Sequence, residues 1–200
     1  MTDPAQPFDV AAYWDRRYRD GRSSGAGSEG HEGAYKAEYI SKFCAENDIT
    51  SVIDWGCGDG QVLELIRFPK HVAYLGIDAS STIIEKMRQK FTSPYRFMTV
   101  DEYWHTFPIE HYRLGLSLDV LFHFPDDDDY ARYLYHLFTT SSQYVIIYST
   151  NYDGGRTSRH VMRREFTRDV AILHPEWKLI KIESPLRDGL ASFFVYEKVA

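Results

Sequence analysis

From Ser51 onward the chain alternates between short apolar runs and stretches whose apolar residues recur at helical spacing. Continuous apolar, β-branched runs read as strands buried on both faces, and i, i+3, i+4 spacing reads as amphipathic helix. Strands are predicted at 51–55, 72–77, 95–99, 112–118 and 143–149. Helices are predicted between them at 60–67, 80–91 and 126–139, with a short turn near 102–106. This alternation predicts a three-layer, doubly wound α/β fold, a parallel sheet with crossover helices on both faces. After the fifth strand come a polar loop (Thr150–Thr157), a helix over Ser158–Leu173 and two closing strands, Trp177–Ile182 and Ser192–Glu197. Ahead of the sheet, Phe8–Arg19 reads as a short helix rich in aromatics (Phe8, Tyr13, Trp14, Tyr18). A Gly/Ser-rich stretch, Gly21–Gly30, separates it from a second helix over Ala34–Glu46, which stops at Asn47-Asp48.

The first strand ends in Asp54, and the next positions read Trp55-Gly56-Cys57-Gly58-Asp59-Gly60 before a helix begins. In such a strand–turn–helix unit the backbone comes close to a ligand, and glycine leaves room for that approach. The spacing is D-x-G-x-G-x-G. The dinucleotide fingerprint G-x-G-x-x-G would need glycine at position 61, where this chain has Gln61. The second strand ends in Asp78, 24 positions after Asp54, where a carboxylate can accept hydrogen bonds from ribose hydroxyls. The third ends in Asp101. Each aspartate alone is an ordinary turn or cap residue. Three in succession at the carboxyl ends of strands mark the crevice where open α/β sheets bind ligands.

This pattern resembles motif I of the class I S-adenosylmethionine-dependent methyltransferases, and the resemblance extends over roughly residues 50–200. It implies a seven-stranded, mostly parallel sheet of order 3-2-1-4-5-7-6 whose last strand inserts antiparallel. It implies S-adenosyl-L-methionine as cofactor and S-adenosyl-L-homocysteine as product. Asp54, Gly56, Cys57, Gly58 and Gly60 would cradle the amino-acid part, Asp78 with Ala79 would meet the ribose, and Asp101 with Glu102 the adenine, with Leu118 at the end of the fourth strand. Residues 1–48 would be N-terminal helices and a lid packed on a methyltransferase domain at 49–200. In the lid, Tyr13 and Trp14 offer an aromatic wall and Gly27 and Ser28 a mobile cover. A sulfonium against an aromatic face gains on the order of 1 kcal/mol. Tyr13–Tyr18, Ser24–Ser28 and His160–Phe166 look like pieces of small bacterial methyltransferases associated with surface polysaccharides. That narrower likeness implies O-methylation of a sugar or of a phosphate-type decoration.

The fourth strand runs into Asp119-Val120-Leu121-Phe122-His123, similar to the D-V-x-x-H end of motif IV in small-molecule methyltransferases. His123 is a candidate general base for a substrate hydroxyl. The competing reading is a histidine that packs the loop before Asp126. No Asn/Asp-Pro-Pro-aromatic run of the base-amine enzymes occurs here, nor a Cys beside Pro as in the cytosine C5 enzymes. Ser149–Asp153 is a poor match to a catechol-type metal pair, and Asn151 and Tyr152 are candidates for acceptor contact instead. Asp126–Asp129 opens a helix and its side chains diverge, so no metal is expected. Later, Arg156, Arg159, Arg163, Arg164 and Arg168 crowd into 13 residues. On a helix, His160, Arg163 and Arg164 would share one face. His160 is then a second catalytic candidate, and Arg163 and Arg164 candidates for an anion on the acceptor.

Composition narrows the rest. The 200 residues suffice for one sizeable core, and 16% aromatics suit a stacking pocket. A net charge of −6 disfavours a general nucleic-acid binder. Cys44 and Cys57 form neither a metal-type pair nor a disulfide framework. Met1–Pro7 lacks the basic and apolar regions of a secretory leader, and no apolar run is long enough to span a bilayer. The expectation is a cytoplasmic enzyme acting on a small-molecule or saccharide acceptor. The alternatives are a non-catalytic S-adenosylmethionine-binding module, a nicotinamide enzyme (disfavoured by Gln61), and an RNA methylase (disfavoured by charge).

Overall fold

Along the central strands, alternate residues face opposite sides, and both sides are apolar. Val52, Tyr74, Leu114, Leu116, Tyr144 and Ile146 point into one core, Ile53, Trp55, Leu75, Ile77, Val145 and Ile147 into another. Two helix layers cover these faces. The computed structural model describes residues 8–106, 108–184 and 191–199. Met1–Pro7, read above for a leader, lies outside the described residues.

The elements in order are α1 (Val10–Arg19), a 3-10 turn at Ala26–Ser28, α2 (Gly30–Glu46), β1 (Ser51–Trp55), α3 (Gln61–Leu65), β2 (Ala73–Asp78), α4 (Ser81–Lys90), β3 (Tyr95–Thr99), α5 (Val100–Trp104) and β4 (Tyr112–Leu118). A 3-10 turn at Leu121–His123 leads to α6 (Asp127–Thr139) and β5 (Ser141–Thr150). Then follow β6 (Gly155–Ser158), β7 (Val161–Arg163), α7 (Phe166–Leu173), β8 (Trp177–Glu183) and β9 (Ala191–Lys198). The main sheet has seven strands in the order β3-β2-β1-β4-β5-β9-β8. β9 runs antiparallel to β5 and β8, and the other pairs are parallel. With the small β6–β7 sheet set aside, this is the order 3-2-1-4-5-7-6 that the family resemblance implied. Strand order reverses between β1 and β4, paired at Val52↔Leu114 and Asp54↔Leu116, so the crevice opens at their carboxyl ends.

α2, α3 and α4 pack on one face through Ala37, Ile40, Cys44, Leu63, Ile83, Ile84 and Met87. α5, α6 and α7 pack on the other through Tyr103, Tyr133, Leu134, Leu137, Phe138, Phe166 and Val170. α1, α4, α5 and α6 start where short polar side chains take up free backbone N–H groups. Asp9 caps α1 and Ser80 caps α4. Thr99 and Glu102 form a capping box on α5. Asp126 caps α6 by accepting from the N–H groups of Asp128 and Asp129, which assigns the four consecutive aspartates to a helix start.

One predicted element is replaced. Instead of a helix over Ser158–Leu173, residues 155–163 form an antiparallel hairpin, and α7 begins only at Phe166. Propensity is a weak prior that tertiary contacts override. Here the turn carries His160, whose ring stacks on Tyr13 with centroids 4.7 Å apart. In a strand, successive side chains alternate sides, so His160, Arg163 and Arg164 do not share a helical face.

Candidate active site

The carboxyl ends of β1, β2 and β4 open into a cavity of about 970 Å³, roofed by α1 and the Gly/Ser loop. That size accommodates a nucleoside with an amino-acid tail and leaves room for a second small molecule. Of the residues singled out from the sequence, Tyr13, Trp14, Gly27, Ser28, Asp54, Gly56, Cys57, Gly58, Asp78, Ala79, Asp101, Leu118, His123 and His160 line it.

The glycine loop shapes the floor. Gly56 (φ 87°) and Gly58 (φ 56°) adopt left-handed backbone conformations that disfavour a side chain. A Cβ at Gly58 would collide with Ser24 Oγ, and one at Gly56 with Val120. Gly60 (φ 73°) turns the chain into α3 against Phe91 and Met87 and does not face the cavity. Asp78 stands at the end of β2, 8% exposed. Its carboxylate accepts from the Gly58 N–H at 3.1 Å and the Ser80 N–H at 2.9 Å. Burial raises its pKa to about 6 against the opposing pull of these backbone donors. Asp54 is held by the Tyr74 hydroxyl at 2.8 Å, and burial raises its pKa to about 7. A cradle that admits no Cβ, beside a fixed buried carboxylate, fits the tail and ribose of a nucleoside cofactor.

The roof is fastened by side chains far apart in sequence. The Ser24 N–H donates to Asp59 Oδ2 at 2.8 Å, and the Asp59 N–H donates back to Ser24 Oγ at 3.0 Å, which clamps the lid to the glycine loop. Asp15 on α1 accepts from Ser80 Oγ (2.8 Å) and the Thr82 N–H (3.1 Å), so α1 docks on the start of α4. Lys86 Nζ holds the Tyr18 carbonyl at 2.7 Å. At the lid's other end, Lys36, 1% exposed, makes an ion pair with Asp119 just after β4. Lys36 also lies 4.7 Å over the Tyr148 ring. Asp119 itself has φ 60°, a left-handed conformation unusual for a residue with a side chain. Gly27 passes so close to the Asp119 carboxylate that a Cβ there would clash.

The opposite wall is aromatic. The His123 ring meets Trp14 edge-on at 5.0 Å and stacks on His160 at 5.5 Å, 11° from parallel. His123 Nδ1 lies 3.2 Å from the His160 carbonyl, which fixes Nδ1 as the protonated nitrogen and leaves Nε2 as an acceptor. Burial lowers the His123 pKa to about 4, so the ring is neutral at pH 7. His160 is also lowered, by burial and then by the charge of Arg17.

Besides Gly60, five expected contacts fall elsewhere. Glu102 completes the α5 capping box and pairs with Arg88 at 2.8 Å, outside the cavity. Arg164 donates to the Phe124 carbonyl at 2.7 Å and to Asp127 at 2.6 Å, bracing the turn before α6. Arg163 reaches Thr150 Oγ1 at 3.2 Å and lies over Tyr152. Asn151 caps α7 through the Thr167 N–H at 3.1 Å. None of Arg163, Arg164, Asn151 and Tyr152 lines the cavity: Arg163 turns to β5, Arg164 to the start of α6 and Asn151 to α7. Conversely, Arg17 on the cavity wall and Lys36 behind it, paired with Asp119, were not singled out, while Ser24, Asp59 and Asp119 lie in motifs quoted above without these ties. For Lys36 a signal existed: it shares the i, i+4, i+8 stripe of Ile40 and Cys44, a charge on a buried helix face. Among the described residues no cluster of three or more His, Cys, Asp or Glu is arranged to hold a metal ion, and no helix is long and apolar enough to cross a membrane.

Residues 52–140 match the model of a family described as a methyltransferase domain. No curated protein matches the chain. Among solved structures it is similar to the N-methyltransferase NodS from Bradyrhizobium japonicum bound to S-adenosyl-l-homocysteine, with a TM-score of 0.71, 13% identity, and 96% of this chain and 99% of that one covered. It is also similar to the magnesium protoporphyrin IX methyltransferase of Synechocystis bound to S-adenosylmethionine (TM-score 0.67, 15% identity, 98% and 100% covered). A third is the 1,6-didemethyltoxoflavin-N1-methyltransferase of Burkholderia thailandensis (TM-score 0.67, 17% identity, 100% and 98% covered). Residues 52–140 thus match a methyltransferase domain, and the chain shares the fold of these methyltransferases.

Proposed function

We propose that this protein methylates a hydroxyl oxygen on a small-molecule or saccharide acceptor, with His123 as the proton acceptor. The observation that carries this reading is the bond between His123 Nδ1 and the His160 carbonyl. It leaves a neutral ring with an open Nε2 on the cavity wall beyond β4, where ligands of such sheets react.

When bound, S-adenosylmethionine supplies a methyl group on a sulfonium, a good leaving group. The chain's work is alignment and proton management. Asp78 would orient the ribose end, the Gly56–Gly58 backbone would accommodate the amino-acid tail, and Asp101, which also lines the cavity, would meet the base. The lid, clamped by Ser24 and Asp59, keeps water from the reacting atoms. Holding acceptor and methyl group in line turns a two-body step into a one-body step, which lowers the barrier by removing translational freedom. The aromatic wall of Tyr13, Trp14 and His160 suits the flat apolar face of a sugar ring, which supports the surface-polysaccharide reading of the flanking motifs.

The test is transfer of a labelled methyl group from S-adenosylmethionine to a panel of hydroxylated small molecules and saccharides, with and without chelator. Transfer to at least one, insensitive to chelator and absent with nicotinamide cofactors, is expected. Tight S-adenosylhomocysteine binding with no turnover on any acceptor would instead assign a binding module.

A further inference from the structure

The cations around the cavity are not equivalent. Lys36 is consumed by Asp119, and Arg132 pairs with Asp129 on its own helix at 3.2 Å. Arg17 also lines the cavity, and among the described residues it makes no ion pair. Asp59 of the glycine loop is engaged with Ser24 and Gln61, and Glu29 at the end of the lid with Ser23. Arg17 is nonetheless held in place. Its Nε donates to the Ser23 carbonyl at 2.7 Å, and its guanidinium carbon lies 5.6 Å from the Trp14 ring centroid. One N–H is thus spent on a neutral carbonyl that aims the fork, and the two terminal nitrogens remain. Burial first, and then the charge of Arg17, lowers the pKa values of both His123 and His160. In a chain of net charge −6, a positioned arginine with no carboxylate partner in a half-buried cavity is a vacancy for an anion.

We propose that Arg17 is the anion receptor of this cavity and takes a carboxylate or phosphate group. The proposal rests on the methyl-transfer reading above and names the chemistry of one ligand in that site. Two molecules can bring the anion. One is the α-carboxylate of the cofactor's amino-acid tail, since Arg17 sits beside Gly25 of the lid. The other is an anionic acceptor lying against His123 and His160.

The experiment is calorimetry on wild type, Arg17→Ala and Arg17→Lys with three probes: S-adenosylhomocysteine, 5′-methylthioadenosine (which lacks the amino-acid tail), and inorganic phosphate added to the S-adenosylhomocysteine complex. If the cofactor supplies the anion, Arg17→Ala weakens S-adenosylhomocysteine at least tenfold and leaves methylthioadenosine unchanged. If the acceptor supplies it, both nucleosides bind Arg17→Ala as they bind wild type, and phosphate binding falls at least tenfold. Arg17→Lys recovers part of either loss, because lysine keeps the charge without the fork. Unchanged affinity for all probes overturns the proposal. So does equal weakening of both nucleosides, which would mean that Arg17 only holds the lid through Ser23. Failure of wild type to bind either nucleoside would be a separate result, against the methyltransferase reading itself.

Discussion

The two ends of the cavity are built by different means. At the β1–β2 end, the site is made of backbone and one carboxylate: left-handed glycines 56 and 58, and Asp78 held by the N–H groups of Gly58 and Ser80. All of these lie within 25 residues of one another. At the β4–β5 end, the site is made of side chains from distant segments. His123 meets Trp14 across 109 positions and leans on the carbonyl of His160, 37 positions on, while Asp119 pairs with Lys36, 83 positions back. The first construction tolerates little variation, because dihedrals and close approaches dictate the residues. The second can be rebuilt whenever a flanking segment changes, which is how one fold serves many acceptors.

The largest expected effect tests whether the distant ties are structural. Lys36 is wholly enclosed and Asp119, on the cavity wall, is 24% exposed, so Lys36→Met leaves a partly buried charge without its partner. Removing one member of a fully buried pair costs about 3–5 kcal/mol, so with Asp119 partly exposed the loss should lie at or below the lower end of that range, whereas replacing both is close to neutral. Urea denaturation should show that loss for Lys36→Met and recovery of most of it in Lys36→Met/Asp119→Asn, where asparagine also tolerates the left-handed backbone. Equal destabilisation in the single and double variants would mean that the pair's shape, not its charge, holds the lid to β4.

The next separates chemistry from binding. His123→Ala should lower kcat about 100-fold, within the range for losing a general base, and leave S-adenosylhomocysteine affinity unchanged. A parallel loss of cofactor affinity would place His123 at the nucleoside end and break the division drawn here.

A smaller effect belongs to the cofactor end. Asp78→Asn should weaken S-adenosylhomocysteine by roughly 1–3 kcal/mol, the value of hydrogen bonds to an ionised acceptor. The wild-type pH dependence has a definite sign. Burial raises the Asp78 pKa to about 6, and hydroxyl donors favour its ionised form. Affinity should therefore be full above pH 7 and fall as pH drops through about 6, and Asp78→Asn should show a flat profile there. A profile unchanged by the substitution would assign the titration to Asp54, whose pKa is raised to about 7.

What could be read in the sequence follows the same division. The strand–helix alternation, the glycine loop, Asp78 at the end of β2 and Asp101 just past β3 in the first turn of α5 are local patterns, and local patterns survive in one dimension. The full strand order came from resemblance to a family, since periodicity does not encode which edge receives the last strand. The clamp of Ser24 on Asp59 and the stacking of His160 on His123 have no local signature. The misread helix over 158–173 shows why: its arginine spacing suits a helix, but the hairpin is selected by what the turn at His160 touches across the cavity.

The smallest expected effects concern that hairpin. On a helix, Arg163 and Arg164 would face the acceptor together; with Arg163 ending β7 and Arg164 just past it, they separate. Arg164 is braced against Phe124, Pro125 and Asp127, with its side chain 11% exposed, so Arg164→Ala should cost about 1–2 kcal/mol of stability. Arg163 has one neutral hydroxyl partner and the Tyr152 face, so Arg163→Ala should cost about 1 kcal/mol or less. Neither change should alter S-adenosylhomocysteine affinity, and Arg163→Ala should leave the acceptor's KM within about twofold, because the side chain lies outside the cavity. A tenfold rise in KM with unchanged stability would show the hairpin folding inward over the acceptor. The acceptor end would then be completed by the ligand rather than built before it arrives.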